Sequence, residues 1–199
     1  MQDGANRPNS EAGQKLRGRG SRVIRRFGRE GSGSAAIEFA IVAFPLILLL
    51  LAVLEVGLVY FATFALEGAT AQGARLIRTG QAQTQKFSAT QFKTEVCKNL
   101  TAPIQCSGLK LDVRHFSSFG GADMTNPLDA KGNLKANFSY DPGTGGDVVV
   151  VRAFYEWDLT AKLPKDIALS NMANGNRLLV ATVAFRNEPF QSTTTSASR

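Results

Sequence analysis

Two carboxylates near the start of the chain, Glu38 and Glu55, have side chains that conflict with their surroundings. The run from Phe39 to Leu66 is almost wholly apolar, and Glu55 is the only charge within it. That run is long enough to cross a bilayer. A carboxylate at the bilayer centre costs about 2.5 kcal/mol or more on insertion scales. Both glutamates are therefore expected to have a function.

Two cysteines, Cys97 and Cys106, lie nine positions apart in the polar part of the chain. In an oxidising compartment they could form a disulfide that closes a small loop. Chain-entropy arguments give such a disulfide a stabilisation of roughly 2–3 kcal/mol. The alternative is two unrelated buried thiols. A zinc site is not expected, because His115 is the only histidine and there is no second cysteine pair. We therefore predict a Cys97–Cys106 disulfide and no metal site.

The polar part of the chain offers no recognisable catalytic arrangement. No nucleophile, base and orienting group fall into a known motif. The segment from Asp141 to Asp147 lacks the spacing and the final glutamate of a calcium loop. Thr144–Gly146 is not followed by the Gly-Lys-Ser/Thr of a phosphate loop. The sequence predicts no catalytic residues, no cofactor, no small-molecule substrate and no enzyme activity.

The charge of the chain is concentrated at its N-terminal end. Residues 1–33 carry eight Lys and Arg against three acidic residues, which is +5 of the total +7. With few large apolar residues, this leader is predicted to be disordered. Because it directly precedes an apolar helix, it is expected to keep the N-terminus in the cytoplasm and not to bind nucleic acid. The C-terminal part would then lie outside the cytoplasm.

The apolar run is predicted to be the first half of a long helix, from about Ala35 to Thr79. At 1.5 Å per residue it would be roughly 65–70 Å long, which exceeds a bilayer, so its second half must project and pack. Ala71, Ala74 and Ile77 are expected near one face, with a stop at Gly80. Pro45 removes one backbone hydrogen bond and is expected to kink or loosen the helix.

The remainder predicts an α+β domain with a small antiparallel sheet. Ser88 and Gln91 have capping-box spacing, so a short helix is expected to follow the polar connector 81–86. The next predicted elements are a strand in which Leu109, Leu111 and Val113 alternate with Lys110, Asp112 and Arg114, a long loop over 116–137 and a short strand at Phe138 and Tyr140. Strands at 148–159 and 177–185 follow, separated by a loop or a single helical turn over 163–176, and a disordered tail is expected at 191–199. The predicted divisions are leader 1–33, long helix 34–80, domain 81–190 and tail 191–199.

The helical run resembles the start of the TadE-like family, minor pseudopilins of the tight-adherence (Tad or Flp) pilus. The similar segments are Ala36–Leu50, Glu55–Leu58 and Glu67–Arg75, and Phe185–Phe190 resembles the family's C-terminal end. A glycine, four small or apolar residues and then Glu-Phe is typical of a prepilin cleavage site. The resemblance implies a pilin-like fold in which a long transmembrane helix leads into a periplasmic domain.

The resemblance also implies functional residues and partners. Cleavage by a prepilin peptidase is expected between Gly33 and Ser34. Glu38 and Phe39 would then set the assembly register, with Glu38 neutralising the new ammonium group of Ser34. The expected partners are the membrane, the peptidase, other pilins or pseudopilins and the Tad inner-membrane platform. The protein would be a single-pass protein of the bacterial inner membrane, with its domain in the periplasm.

Three alternatives remain open at this point. The leader could stay attached, which would make the chain a bitopic inner-membrane scaffold for pilus assembly or secretion. The apolar run could be an ordinary secretory signal cut near Ala69–Ala71, although it is long for a signal core and contains an acid. The chain could be a membrane-anchored periplasmic enzyme. For Glu55, a position near the outer membrane interface is favoured, because Tyr60 and Phe61 nearby resemble an interfacial aromatic belt.

Overall fold

The computed structural model describes residues 31–122, 124–159 and 169–190. Residues 1–30 of the predicted leader, the predicted tail at 191–199 and part of the predicted loop at 163–176 lie outside these residues. The chain divides into two compact units, residues 1–52 and residues 53–199.

The long helix α1 runs from Gly31 to Arg78, close to the predicted bounds. It is continuous through Pro45, where the expected kink stays a prediction. The chain leaves the helix at Gly80, whose φ of 75° lies in the left-handed region that glycine adopts without strain. The N–H of Gly80 donates to the carbonyl oxygen of Ile77 at 3.0 Å, which confirms the predicted stop.

Two shorter helices follow α1. Gln81–Thr84 forms a single turn, α2, where the sequence predicted only a polar connector. The correction arises because the Thr84 N–H bonds back to the Gly80 carbonyl at 2.9 Å and so closes the turn locally. The predicted short helix is α3, Ala89–Lys98, and its capping box is complete. The Gln91 N–H donates to Ser88 Oγ at 3.2 Å, and the Ser88 N–H donates to Gln91 Oε1 at 2.8 Å.

The sheet has three antiparallel strands in the order β1-β2-β3. β1 is Lys110–Phe116, β2 is Val148–Trp157 and β3 is Arg177–Arg186. The register pairs Val113 with Val151 and Val151 with Val183. Together with the helices, this sheet confirms the predicted α+β class.

One detail of the sheet differs from the prediction, and a second was not predicted. Phe138 and Tyr140 do not form a strand, because only an isolated parallel bridge joins Tyr140 to Val113. Asp112, one of the polar residues that alternate with Leu109, Leu111 and Val113, is buried. Its Oδ1 accepts the Ser139 N–H at 2.8 Å, and its carboxylate pairs with Arg114 Nε at 3.0 Å. Hydrogen bonds and an ion pair thus compensate the burial of this charge.

The hydrophobic core of residues 53–199 lies between α1, α3 and one face of the sheet. Its fully buried side chains include Leu66 and Ile77 from α1, Phe92 and Val96 from α3, and Val151 from β2. A smaller cluster of Phe154, Met172 and Leu178 lies apart from this core. The second half of α1 therefore packs as predicted, and it covers one face of the sheet.

Candidate membrane and assembly interface

The first part of α1, up to Ala52, exposes its apolar side chains. Phe39 is 75% exposed and Leu50 is 52% exposed, although both are large hydrophobic residues. A helix that is apolar on all sides suits either a protein core or a lipid environment. Among the described residues, α1 is the one helix long and apolar enough to cross a membrane. The segment is therefore a candidate single-pass membrane anchor.

The predicted cleavage residues lie at the beginning of α1. Gly33 is exposed, and a Cβ built on it would meet no atom within 4 Å. Packing within the described chain therefore gives no reason for a glycine at this position. Gly33 and Ser34 lie inside the first turn of the helix, whereas the sequence predicted that the helix starts just after them.

The residues predicted to set the register follow one helical turn later. Glu38 and Phe39 are both exposed. Glu38 lies four positions after Ser34, so the two residues occupy the same face of α1, about 6 Å apart along its axis. Side chains of a helix lean toward its N-terminus, which directs the Glu38 carboxylate toward the backbone of Ser34. The helix geometry thus suits a pairing between these two positions.

A second region of α1, from Val59 to Ile77, packs against the domain. Its buried residues recur every three or four positions, as on one face of a helix: Val59, Ala62, Leu66, Ala69, Thr70, Gly73, Ala74 and Ile77. Thr70 is satisfied by donating to the Leu66 carbonyl at 2.7 Å. Ala71, predicted on this face, is exposed instead, because it is turned about 100° away from Thr70.

The opposite face of α1 keeps large apolar side chains exposed at the beginning of this packed region. Tyr60 is 62% exposed, Phe61 53% and Phe64 69%. Beyond Phe64, the exposed positions Glu67, Gln72 and Arg75 are polar. The change from apolar to polar over one to two turns is typical of an interface between lipid and water, where aromatic residues collect. Glu55 is half-buried one turn before this belt, and its role stays a prediction.

The C-terminal end of α1 is held by residues 187–190, which we call the clasp. The Glu188 N–H donates to the Arg78 carbonyl at 2.9 Å, which satisfies a carbonyl of the last helical turn. The Phe190 ring lies against Gly80, where a Cβ would come within 2.6 Å of it. Glycine at position 80 is therefore required both by its φ angle and by this contact.

Asn187 joins the clasp to the turn that precedes β2. It is 2% exposed, and its Nδ2 donates to the carbonyls of Pro142 at 3.0 Å and Thr144 at 2.9 Å. The Gln83 side chain donates to the same Pro142 carbonyl at 2.9 Å. Sequence reasoning did not identify Asn187 as a structural residue. Its position after a strand in a polar segment could have suggested this kind of backbone capping.

The predicted disulfide is present between Cys97 and Cys106, with a Cα–Cα separation of 5.5 Å. Cys97 lies in the last turn of α3, and Cys106 begins a short 3₁₀ turn that leads into β1. The disulfide therefore joins the end of α3 to the entrance of the sheet. A covalent link of this kind is typical of proteins outside the cytoplasm.

The electrostatics of the described domain include no concentrated metal or acid-base centre. Within the described ranges, no group of three or more His, Cys, Asp and Glu residues is placed to hold a metal ion. Partial burial raises the pKa of Tyr140 to about 12. The pKa of Lys93 is lowered by partial burial and by the nearby charge of Lys110.

Comparison with known proteins identifies the N-terminal segment. Residues 33–75 match the TadE-like protein family. This TadE-like segment includes the predicted cleavage position, the exposed apolar part of α1 and most of its packed part. No curated protein and no solved structure gave a match.

The TadE-like segment covers less than a quarter of the 199 residues. It confirms the resemblance that the sequence showed over α1. The C-terminal resemblance at Phe185–Phe190 lies outside the match and stays a prediction. The matched family is one of structural pilus components and is not known for catalysis.

Proposed function

We propose that the protein is a minor pseudopilin-like component of a Tad (Flp) pilus, anchored in the inner membrane by α1 and matured by a prepilin peptidase. The observation that carries the proposal is the TadE-like segment, which begins at Gly33 and continues over the exposed apolar helix. The basic leader would lie in the cytoplasm and the disulfide-bonded domain in the periplasm. Its partners would be the peptidase, other pilins or pseudopilins and the inner-membrane platform.

The chemistry of the proposed maturation concerns the charge that it creates. Cleavage between Gly33 and Ser34 would place an ammonium group at the start of an apolar helix. The helix macrodipole already makes this end positive, which disfavours the new charge further. The Glu38 carboxylate, one turn away, would neutralise it within its own chain or in a neighbouring subunit. A paired carboxylate and ammonium cost far less in a low dielectric than either alone.

Gly33→Val tests the proposed cleavage. A branched side chain at this position should block access of the peptidase to the backbone, so the mature form should fall at least about tenfold, which corresponds to 1.4 kcal/mol. Mass determination and N-terminal sequencing of protein from its native membrane measure the ratio of cut to uncut chains. Gly31→Val, two positions upstream, is the matched control and should mature normally. An unchanged mature N-terminus at Ser34 in Gly33→Val would refute the assigned site.

Glu38→Ala tests the proposed register. The variant should insert into the membrane and be cleaved, yet it should yield at least about tenfold fewer pili. The Ser34 ammonium would lose its pairing with the Glu38 carboxylate, and a tenfold effect corresponds to 1.4 kcal/mol. The measurement is the amount of sheared pilus per cell. Glu67→Ala removes an exposed acid from the same helix and should retain normal piliation. Wild-type piliation with Glu38→Ala would remove the argument for pairing.

A second candidate is an unprocessed bitopic scaffold that stays in the inner membrane. One observation favours it: the scissile bond lies within the first turn of α1, where the backbone must unwind before a peptidase can act on it. Helix ends fray at little cost, so this geometry slows cleavage without preventing it. Wild-type protein that keeps its leader in every molecule and is missing from sheared pili would select the scaffold.

A further inference from the structure

A groove lies between the N-terminal end of the packed region of α1 and the beginning of β3. Its walls are the helix residues Val56, Val59, Tyr60 and Thr63, the strand residues Arg177–Val180, and Leu169. Its volume is about 280 Å³. Closed small-molecule pockets measure about 300–1,000 Å³, so this groove suits part of a larger molecule better than a whole one.

The groove combines an apolar wall with one cation. Arg177 is half-buried at the start of β3, and its Nη1 donates to the Leu169 carbonyl at 2.7 Å. Among the residues that the structure describes, no carboxylate lies within ion-pair distance of this guanidinium. Its other N–H groups can therefore serve an external acceptor, and guanidinium suits the oxygens of phosphate.

A backbone donor adds to this polar end of the groove. β3 is an edge strand, and the Leu178 N–H donates to Asn171 Oδ1 on the side away from β2. Because outward and inward groups alternate along an antiparallel strand, the Val180 N–H also points away from β2. No described residue outside the sheet accepts that N–H. Among the described residues, the strand thus presents a donor without an acceptor at the groove.

The position of the groove identifies the kind of ligand. The same stretch of α1 exposes Leu54, Leu58 and Phe61 on its other sides, and Tyr60 forms part of the groove's rim. These residues lie before the point, beyond Phe64, at which the exposed positions of the helix become polar. A ligand here would meet apolar side chains of the helix together with one arginine at the start of β3.

We infer that this groove binds a membrane phospholipid, with the phosphate on Arg177 and the beginning of one acyl chain along Val56 and Val59. The inference rests on the proposed membrane anchoring through α1. The lipid would fill the groove between helix and sheet, and so would fix the height of the domain above the bilayer. An amphiphile fits better than a free anion, because most of the wall is apolar.

Trp157 supplies a probe that the chain already contains. It is the single tryptophan of the protein and the cross-strand partner of Arg177. Brominated acyl chains quench tryptophan fluorescence at short range, so a lipid in the groove should quench Trp157. The experiment uses the full chain in detergent micelles, titrated with phosphatidylglycerol brominated near the headgroup. Wild-type protein should show saturable quenching.

Arg177→Gln should weaken this binding at least tenfold, while Arg177→Lys should retain most of it, because lysine keeps the charge for the phosphate. Arg186→Gln, at the opposite end of β3, is the matched control and should bind as wild type does. Thr63→Phe should also abolish saturable quenching, because it fills the groove and leaves Arg177 in place. This variant keeps the test valid if Arg177→Gln fails to fold.

Four outcomes would overturn the inference. The first is equal quenching in wild type and Arg177→Gln. The second is equal quenching by a brominated uncharged detergent, which would indicate apolar contact without headgroup recognition. The third is full competition by inorganic phosphate alone, which would indicate an ion site, and the fourth is competition by a second copy of the chain at rising protein concentration. Resistance to alkaline extraction from membranes reports the anchoring separately, so its loss would contradict the proposed function instead.

Discussion

The two halves of α1 share an apolar composition but differ in what surrounds them. Large side chains of the first half are exposed, as at Leu50, which is 52% exposed. In the second half, one face is fully buried, as at Leu66 and Ile77, both 0% exposed. Composition alone therefore does not distinguish a segment made for lipid from one made for a protein core; the distribution of apolar residues around the helix does.

The buried face of the second half also uses smaller residues. Alanine, threonine and glycine occupy most of it, with larger side chains at Leu66 and Ile77. Small side chains let neighbouring elements approach the helix closely, and Gly73 lies directly beneath Val96 of α3. The first half consists mainly of leucine, valine, isoleucine and phenylalanine, which offer lipid a broad apolar surface. The choice of side-chain size thus follows the partner of each half.

Truncation of one leucine in each half should separate their roles most strongly. Leu66→Ala removes a fully buried side chain and should lower the free energy of unfolding of the domain by about 2–5 kcal/mol. Leu50→Ala should change it by less than about 0.5 kcal/mol, since Leu50 is 52% exposed and belongs to neither hydrophobic cluster of the described residues. The measurement is denaturant unfolding of the full chain in micelles, followed by Trp157 fluorescence. Equal losses in both variants would contradict the distinction.

Glycines of the packed half provide a finer test. A Cβ at Gly73 would overlap the Val96 side chain, so Gly73→Ala should destabilise the domain by about 1–3 kcal/mol. Gly68 lies on the exposed face of the same half, with nothing within 4 Å of a Cβ. Gly68→Ala should stabilise by up to about 1 kcal/mol, because alanine is the better helix former.

Thermal unfolding of both glycine variants in the same micelles would give the two values. A stabilising effect of Gly73→Ala would show that α3 can move away from α1 at little cost. Close packing between the two helices would then not require a glycine at this position. Gly57→Ala is a further control, since that position is also open.

Much of this arrangement followed from local sequence patterns. The capping box at Ser88 and Gln91 predicted the start of α3, and the valine-rich run from Val148 predicted β2, because these signals involve residues close together in sequence. The apolar run from Phe39 likewise predicted the exposed part of α1 from neighbouring residues alone. The spacing of Cys97 and Cys106 permitted the disulfide, although it did not exclude two separate thiols.

What the sequence did not reveal depends on contacts between distant residues. Asp112 alternates with apolar neighbours, and its burial depends on Ser139, 27 positions away, which donates a backbone hydrogen bond to its carboxylate. The clasp brings Asn187 to Pro142, 45 positions away, and no local pattern encodes that meeting. The groove at Arg177 likewise joins the beginning of β3 to α1.

The smallest expected effect concerns the turn that supports the clasp at the end of the packed half. The pKa of Asp147 is held below its usual 3.8 first by the Thr144 N–H, which donates to Asp147 Oδ2 at 2.7 Å. The Thr144 hydroxyl donates to the same oxygen at 2.9 Å. Because the folded-state pKa is the lower one, this stabilisation is present above pH 3.8 and is lost as the pH falls through the folded value.

Asp147→Asn should therefore lower the unfolding midpoint slightly at neutral pH and flatten its decline below pH 3.8. The Asp147 side chain is half-buried and its partner Thr144 is exposed, so the change should be small beside that of Leu66→Ala. Asp129→Asn is the matched control, because hydrogen bonds from the backbone, Asn133 first, also lower the pKa of Asp129, but in a loop away from the clasp. Amide hydrogen exchange at the last turn of α1 distinguishes the two: only Asp147→Asn should speed exchange there. Equal exchange in both variants would show that the clasp holds α1 without help from this turn.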